Sequence, residues 1–308
     1  MTSTAVSGPS ASTTSKRFDI RVILAFFAIY VLWGTTFLAI RIAVQEVPPL
    51  FAAGCRFFVA GILLYGFMRL RGQAGPNRRQ WRNLALMGLL MFVLEYGPLF
   101  WAEKYVPSGV ASVLVATLPL ITLVLEMVVF RQQPFRWRLL GATLLGFGGV
   151  GVLLLPGGEQ HFGLLPCLAI LGGAVSWSLG SVLNRSLELP ESRAVTAGGA
   201  MMLGGGTLLA LSAALGEMHP LPHVSVRGGL AILYLIVCGS LLGFTAFVWL
   251  LAHMPASRVA SYAYVNPIVA VALGYFVAGE VITTRMLIGA AIVLVSVFLL
   301  LRKDKAAA

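Results

Sequence analysis

Arg56, Glu95 and Glu126 are charged side chains well inside long apolar stretches of this sequence, where charge is unfavourable. Arg56 lies 13 residues before Arg69, and Glu95 lies 13 residues after Arg82, so the two are expected at similar depth in a membrane. A charge at the bilayer centre costs roughly 2.5–3.5 kcal/mol, so each should face protein or water. Two interpretations stay open: an Arg56–Glu95 ion pair that locks two helices together, or a Glu95 carboxylate that faces a solute path and couples it to protons.

Aromatic side chains close to these charges are candidates for binding an apolar part of a solute. Trp33 and Trp177 are each followed by small residues. Tyr96 adjoins Glu95 and precedes Gly97-Pro98, where the proline removes a backbone hydrogen bond and permits a bend. The alternative role for such rings is an interfacial belt. That role fits three other residues better: Trp81, Trp101 and Trp137.

A second group of candidates lies near the C-terminus. Tyr262 and Asn266 are four residues apart and share one helix face, whereas Tyr264 points elsewhere. The Asn266 amide, just before Pro267, could bind a polar group of the solute or a neighbouring helix. The candidate solute-binding residues are therefore Trp33, Glu95, Tyr96, Trp177, Tyr262, Tyr264 and Asn266.

The elements that must position these residues are ten apolar stretches that fill almost the whole 308-residue chain. About 20 apolar residues cross the hydrocarbon core as a helix. A composition of 58% hydrophobic and 11% charged residues leaves nothing for a soluble domain. We predict an all-α integral membrane protein with ten transmembrane helices. The predicted spans are 21–42, 49–70, 82–103, 108–130, 137–155, 163–185, 194–215, 228–251, 256–279 and 284–301.

The basic residues predict how these helices are oriented. Of the 22 lysines and arginines, 17 fall in the two terminal tails and the 2–3, 4–5, 6–7 and 8–9 loops. By the positive-inside rule these segments, and hence both termini, are cytoplasmic. This topology explains the net charge of +11. The lipid bilayer is therefore the expected partner, and no nucleic acid is expected, because that would need a folded basic domain.

The chain also repeats itself. An offset of 144 pairs Trp33 with Trp177, and an offset of 148 pairs Trp101 with Trp249, Pro107 with Pro255 and Pro119 with Pro267. Chance matching of apolar helices is the alternative. Because five helices per half is an odd number, the second half must enter the membrane from the opposite side. We predict two inverted five-helix repeats at 18–157 and 158–302, which place a solute site near the midplane. The remaining residues form a disordered tail at 1–17 and a short tail at 303–308.

Motifs for catalysis or cofactors are absent or unconvincing. Residues 146–151 satisfy a dinucleotide fingerprint by letter, but no strand precedes them, so close helix packing explains them better. Cys55, Cys167 and Cys238 have no metal or redox spacing. No phosphate-binding loop, zinc-protease motif or nucleophile elbow occurs. We expect no cofactor, no metal and no enzymatic activity; a membrane-embedded enzyme is the alternative from a different class.

Several residues resemble a known family, the drug/metabolite transporter superfamily and its EamA-type members. In the second half the resembling stretches are Met254-Pro255-Ala256-Ser257, Val265-Asn266-Pro267, Ala278-Gly279-Glu280 and Gly289-Ala290-Ala291. In the first half they are Trp33-Gly34 followed by Arg41, Pro48 and Arg56. The first half lacks the Gly-Glu pair of the second, which departs from the family pattern. The length and aromatic content look like the YddG-type amino-acid exporters of this group.

This resemblance implies a secondary transporter of a bacterial inner membrane. The expected activity is export of small amphiphilic metabolites, such as aromatic or neutral amino acids, by alternating access. Sugar phosphates fit poorly, because a dianion needs several cavity cations and only Arg56 is available. The alternative activity is broad export of drugs or nucleosides. One chain holds both halves of the predicted inverted pair, so a monomer is sufficient.

Overall fold

A computed structural model describes residues 20–131, 137–155, 163–184, 186–219, 224–253, 259 and 261–301. Within these ranges the side chains of residues 248, 251, 252, 264, 300 and 301 are not described. The described residues are helical, with no strand among them. The two predicted tails and the hairpin residue Pro255 lie outside the described ranges.

We number ten helices in the described residues. They are α1 Ile20–Glu46, α2 Pro49–Leu70, α3 Arg78–Ala102, α4 Ser108–Val129, α5 Trp137–Leu154, α6 Leu164–Leu183, α7 Arg193–Ala214, α8 from Val226 to His253, α9 Tyr262–Ala278 and α10 Thr284–Leu301. Eight of them, α1–α8, are long and apolar enough to cross a membrane. The described apolar parts of α9 and α10 are shorter. The predicted bounds of α2 are matched, whereas α9 begins at Tyr262 in the described residues.

Local sequence explains where several helices begin and break. Pro49 stands at the first position of α2, where a missing N–H costs no helical hydrogen bond. In α3, a π-helical stretch at Leu89–Val93 is followed by an interruption at Leu94 and Glu95. Pro98 cannot donate to the Leu94 carbonyl, so the chain breaks there as the sequence predicted. A longer π-helical stretch, Leu235–Leu242, lies in α8. Such stretches often mark functional sites.

The helices pack in pairs that an internal two-fold repeat predicts. If α1 to α5 correspond to α6 to α10, then α2 against α7, α5 against α10 and α4 against α9 are each contacts of equivalent helices. Three further couples of contacts also join equivalent helices. They are α1–α8 with α3–α6, α1–α9 with α4–α6, and α2–α8 with α3–α7.

The backbone supplies a further pair of equivalent positions. Arg131 follows α4 and Gly279 follows α9, and the two are 148 residues apart. Both adopt the left-handed conformation, with φ 51° for Arg131 and 66° for Gly279. A non-glycine residue is uncommon there, so the same unusual ending occurs at both equivalent positions.

The α2–α7 contact depends on glycine. A β-carbon at Gly61 of α2 would collide with the backbone of Met202 in α7, and one at Gly198 of α7 would lie 2.7 Å from the Tyr65 backbone nitrogen of α2. Only glycine lets the two backbones approach this closely. The two halves of the chain are therefore held together by direct backbone packing between α2 and α7.

Candidate functional site

Four aromatic rings, two from each half, meet where α1, α3, α6 and α8 converge. Trp33 of α1 packs edge-on against Phe244 of α8, with ring centroids 5.5 Å apart. Tyr96 of α3 packs edge-on against Trp177 of α6 at 6.0 Å. The Trp177 and Phe244 rings, 6.5 Å apart, join the two pairs. Since Phe244 lies 148 residues after Tyr96, the Trp33–Phe244 and Trp177–Tyr96 contacts join equivalent positions of the two halves.

Four more rings surround this core, and we call all eight the ring cluster. Tyr262 of α9 and Phe247 of α8 lie 5.1 and 5.2 Å from Trp33. Phe57 of α2 lies 4.5 Å from Tyr96, and Phe92 of α3 lies 6.5 Å from Trp177. The ring cluster is Trp33, Phe57, Phe92, Tyr96, Trp177, Phe244, Phe247 and Tyr262. Its faces and edges offer the apolar and π surface that binds a flat or branched apolar group.

The π-helical stretch of α8 also contacts the ring cluster. The indole Nε1 of Trp33 donates to the Gly239 carbonyl of that stretch at 2.9 Å. A β-carbon at Gly243 would collide with the same indole. The irregular backbone of α8 thus supplies an acceptor for a tryptophan whose N–H would otherwise lie unpaired in an apolar interior.

Glu95 lies at the interruption of α3, beside α6. Its side chain is 3% exposed, and its Oε2 has no hydrogen-bond partner among the described residues. A β-carbon at Gly173, one turn before Trp177 on α6, would lie 2.7 Å from that oxygen. Because residue 173 of α6 is a glycine, the helix leaves room for the Glu95 carboxyl group next to the Tyr96–Trp177 pair.

Arg56 of α2 lies behind two rings of the cluster. Its Nε donates to the Ser240 hydroxyl of α8 at 3.0 Å, and its Cζ lies 4.6 Å from the Phe57 ring and 5.1 Å from the Tyr96 ring. The side chain is 1% exposed, and Nη1 has no partner among the described residues. Cation–π contacts supply about 0.5–2 kcal/mol each, which offsets part of the roughly 2.5–3.5 kcal/mol for a charge at the membrane centre.

The expected ion pair between Arg56 and Glu95 is not formed. In the described structure Arg56 bonds to Ser240 and faces Phe57 and Tyr96, while Glu95 faces α6. Adjacent positions on a helix point about 100° apart, so Glu95 and Tyr96 turn toward different neighbours. Of the two interpretations from the sequence, the described contacts do not form the ion pair, and the position of Glu95 on a solute path stays a prediction.

The predicted residues of α9 separate into two roles. Tyr262 joins the ring cluster through Trp33. Asn266 is 7% exposed and lies against α1, where its amide nitrogen donates to the carbonyls of Ile29 and Tyr30 at 3.1 Å each. This orientation of the amide is assigned from its hydrogen-bond partners. Of its two predicted roles, binding a neighbouring helix is the one that this geometry fits. The side chain of Tyr264 lies outside the described part of the structure.

A cleft of about 430 Å³ includes Phe244 of the ring cluster in its lining, with Thr245 and Trp249 of α8. Glu191 and Arg193, near the loop between α6 and α7, line it as well. We call the end of the molecule at this loop the basic end, because the arginines at the end of α2 and the start of α3 lie there, and Arg79 of α3 pairs with Glu188 of the α6–α7 loop at 3.3 Å. Phe244 thus lines the cleft and also belongs to the ring cluster. The volume is within the range of small-molecule sites.

The opposite end is closed by hydrogen bonds between the halves. The Glu280 carboxylate, in the loop after α9, accepts from the Ser108 backbone N at 2.9 Å and from the Ser108 hydroxyl at 3.0 Å. It also accepts from the Gly109 backbone N at 3.3 Å. The carboxylate caps the first turn of α4, whose N–H groups have no helical partner and whose dipole favours a negative charge. Beside it, Arg41 of α1 donates to the carbonyls of Glu103 and Val106 in the α3–α4 loop.

Several of these residues were not among the candidates from the sequence. Phe57, Phe92 and Phe247 carry no distinguishing sequence signal, since phenylalanine is common in apolar helices. Phe244 could have been found, because it stands at the position equivalent to Tyr96. Glu280 was visible only as part of a family motif. No group of three or more metal-binding side chains occurs in the described residues.

Comparison with known proteins adds a family to this geometry. The model of the EamA-like transporter family matches residues 20–155 and 164–302, one segment in each half. The chain is 38% identical over 261 residues to the uncharacterized inner membrane transporter YedA of Escherichia coli (strain K12), covering 84% of this chain and 83% of that protein. It is 27% identical over 286 residues to the uncharacterized transporter YvbV of Bacillus subtilis (strain 168), covering 92% of both chains.

One solved structure shows a similar fold. A crystal structure with 22% sequence identity superimposes with a TM-score of 0.61, covering 92% of this chain and 97% of the other. At this identity the similarity describes the path of the chain and carries no information about the solute.

Proposed function

The chain belongs to the EamA-like transporter family and is a multi-pass protein of the inner membrane, and from this premise we propose that it exports small amphiphilic metabolites, with aromatic and neutral amino acids as the preferred solutes. The observation that carries the proposal is the ring cluster. It gathers eight aromatic side chains at the junction of the two halves, where a solute site between repeats would lie.

The chemistry of the cluster favours solutes with an apolar side chain and few charges. Its rings provide apolar surface, while Arg56 and Glu95 place one basic and one acidic group at its edge. One arginine and one carboxyl group suit an amino acid, which carries one carboxylate and one ammonium group, better than a multiply charged phosphate ester, since burying several unpaired charges would cost far more.

Alternating access is the mechanism we propose for this transport. The equivalent packing couples and the matched left-handed residues Arg131 and Gly279 support an internal repeat of five plus five helices. We infer that the second half is inverted, with the basic end in the cytoplasm. The cleft at the basic end and the Glu280 contacts at the opposite end then describe an inward-facing state. A solute would enter past Phe244 and leave when the Glu280 contacts separate.

Solute flux in proteoliposomes tests this function. The purified protein would be reconstituted and given a labelled panel of phenylalanine, leucine, lysine, a nucleoside and a cationic dye, with and without a pH gradient. Selective flux of phenylalanine and leucine supports the proposal. Flux of dye or nucleoside alone would instead support a broad drug or nucleoside exporter. Absence of flux for every solute, in protein shown to be folded, would contradict a transport function for this panel.

A further inference from the structure

One hydrogen-bond donor of Arg56 is unused in the described structure although it is buried in the protein interior. Its Nη1 is buried without a hydrogen-bond partner in the described part of the chain, although nine-tenths or more of buried polar groups in proteins are satisfied. The guanidinium is held from one side by Ser240, through Nε, and lies over the rings of Phe57 and Tyr96. These contacts fix the position of the guanidinium group, while its Nη1 donor stays unused among the described residues.

The positive charge of Arg56 also has no ion-pair partner within 4 Å among the described residues. Glu95 of α3 forms no ion pair with it, and Glu103 of the α3–α4 loop interacts with it electrostatically without reaching ion-pair distance. Both have carboxyl oxygens without hydrogen-bond partners. A buried cation is normally in direct contact with an anion or with several acceptors, and a carboxylate on a bound solute would supply that contact for Arg56.

We propose that Arg56 is the specificity-determining residue for a carboxylate on the transported solute, and that Ser240 positions its guanidinium. A carboxylate matches the planar donor fork of arginine and would engage Nη1. The rings of Phe57 and Tyr96 lie next to that fork, so an aromatic or branched side chain of the same solute can reach the ring cluster. This inference rests on the proposed function and narrows its solutes to apolar compounds that carry a carboxylate.

A purely structural role for Arg56 makes a different prediction. If the guanidinium only fastens α2 to α8 through Ser240, its removal lowers stability and flux for all solutes alike. If it binds the solute carboxylate, the protein distinguishes compounds by that group. Discrimination between two analogues by the unmodified protein is therefore the informative readout, and it does not depend on any variant folding.

The test is competition against labelled phenylalanine counterflow in proteoliposomes. Unlabelled phenylalanine would be compared with phenylalaninamide, which lacks the carboxylate, with phenethylamine, which also lacks it, and with 3-phenylpropionate, which keeps it. For the unmodified protein we expect phenylalanine and 3-phenylpropionate to compete at least about tenfold better than the two compounds without a carboxylate, because a charge-assisted bidentate contact is lost.

Two variants extend the test. In Arg56→Gln we expect compounds with and without a carboxylate to compete within about twofold of each other. In Ser240→Ala we expect a preference between that of Arg56→Gln and that of the unmodified protein. Arg79→Gln is the matched control, since Arg79 is 77% exposed in a surface ion pair and should leave the preference unchanged. Equal competition by phenylalanine and phenylalaninamide in the unmodified protein would overturn the carboxylate site while leaving the transport function standing. Absence of phenylalanine counterflow would instead contradict the proposed function, and the carboxylate site with it.

Discussion

Glu280 and Ser108 join the two halves of the molecule through a pair of hydrogen bonds. One carboxylate oxygen of Glu280 accepts from the Ser108 backbone N at 2.9 Å, and the other accepts from the Ser108 hydroxyl at 3.0 Å. The equivalent position in the first half is Gln132, outside the described residues. An amide there carries no charge, so the sequence does not repeat the Glu280 carboxylate at the equivalent position.

The Glu280 cap predicts that its removal opens that end. In a background with Cys55, Cys167 and Cys238 replaced by alanine, Ser112→Cys would report on access, because Ser112 is 1% exposed one turn inside α4. Adding Glu280→Ala should speed its labelling by an impermeant maleimide several-fold, since a lost cap weakens the closed state by about 0.5–2 kcal/mol. Lys104→Ala, an exposed change at the same end, is the control. Unchanged labelling with Glu280→Ala would show that the cap does not hold this end closed.

The α2–α7 packing predicts that alanine substitutions at two glycines of α2 change the stability of the protein by different amounts. Gly61→Ala should lower the thermal unfolding midpoint in detergent, with a loss of roughly 1–3 kcal/mol, because the new methyl group meets the Met202 backbone. Gly66→Ala should be within about 1 kcal/mol of the unmodified protein, because nothing lies within 4 Å of the added carbon. Equal midpoints for the two variants would contradict the close approach of α2 and α7.

The buried carboxyl of Glu95 predicts a role in coupling. Glu95→Gln keeps the size of the side chain and removes its ability to exchange a proton. We expect this variant to lose transport, or to keep it while losing its response to a pH gradient, measured as phenylalanine flux in proteoliposomes. Glu188→Gln is the control, because Glu188 lies in an exposed ion pair. A Glu95→Gln protein with the original rate and the original pH dependence would exclude the coupling role.

Much of the fold was predictable because apolar length and turn chemistry determine it. The span 49–70 matches α2 because a proline starts it and Arg69 and Arg71 mark its end. The break in α3 followed from Pro98. The predicted start of the ninth span at residue 256 lies outside the described residues, and the described part of α9 begins at Tyr262.

The site was less predictable than the fold, because sequence gives depth better than rotation about a helix axis. Trp33, Tyr96, Trp177 and Tyr262 do meet in one cluster, and their role in binding a solute stays a prediction. Depth alone paired Arg56 with Glu95, whereas the rotation of each helix sends Arg56 to Ser240. Side chains that meet across four helices depend on packing that no local pattern encodes.

The central claim is that the ring cluster binds the solute, and equilibrium binding of labelled phenylalanine to purified protein tests it most directly. We predict saturable binding of phenylalanine by the unmodified protein. In Trp177→Ala the Kd should rise tenfold or more, since removing an aromatic ring from the site costs about 1.4 kcal/mol or more. Trp101→Ala removes a tryptophan that packs on Tyr105, away from the cluster, and should bind normally. Equal affinity of the Trp177→Ala and Trp101→Ala proteins would contradict the account.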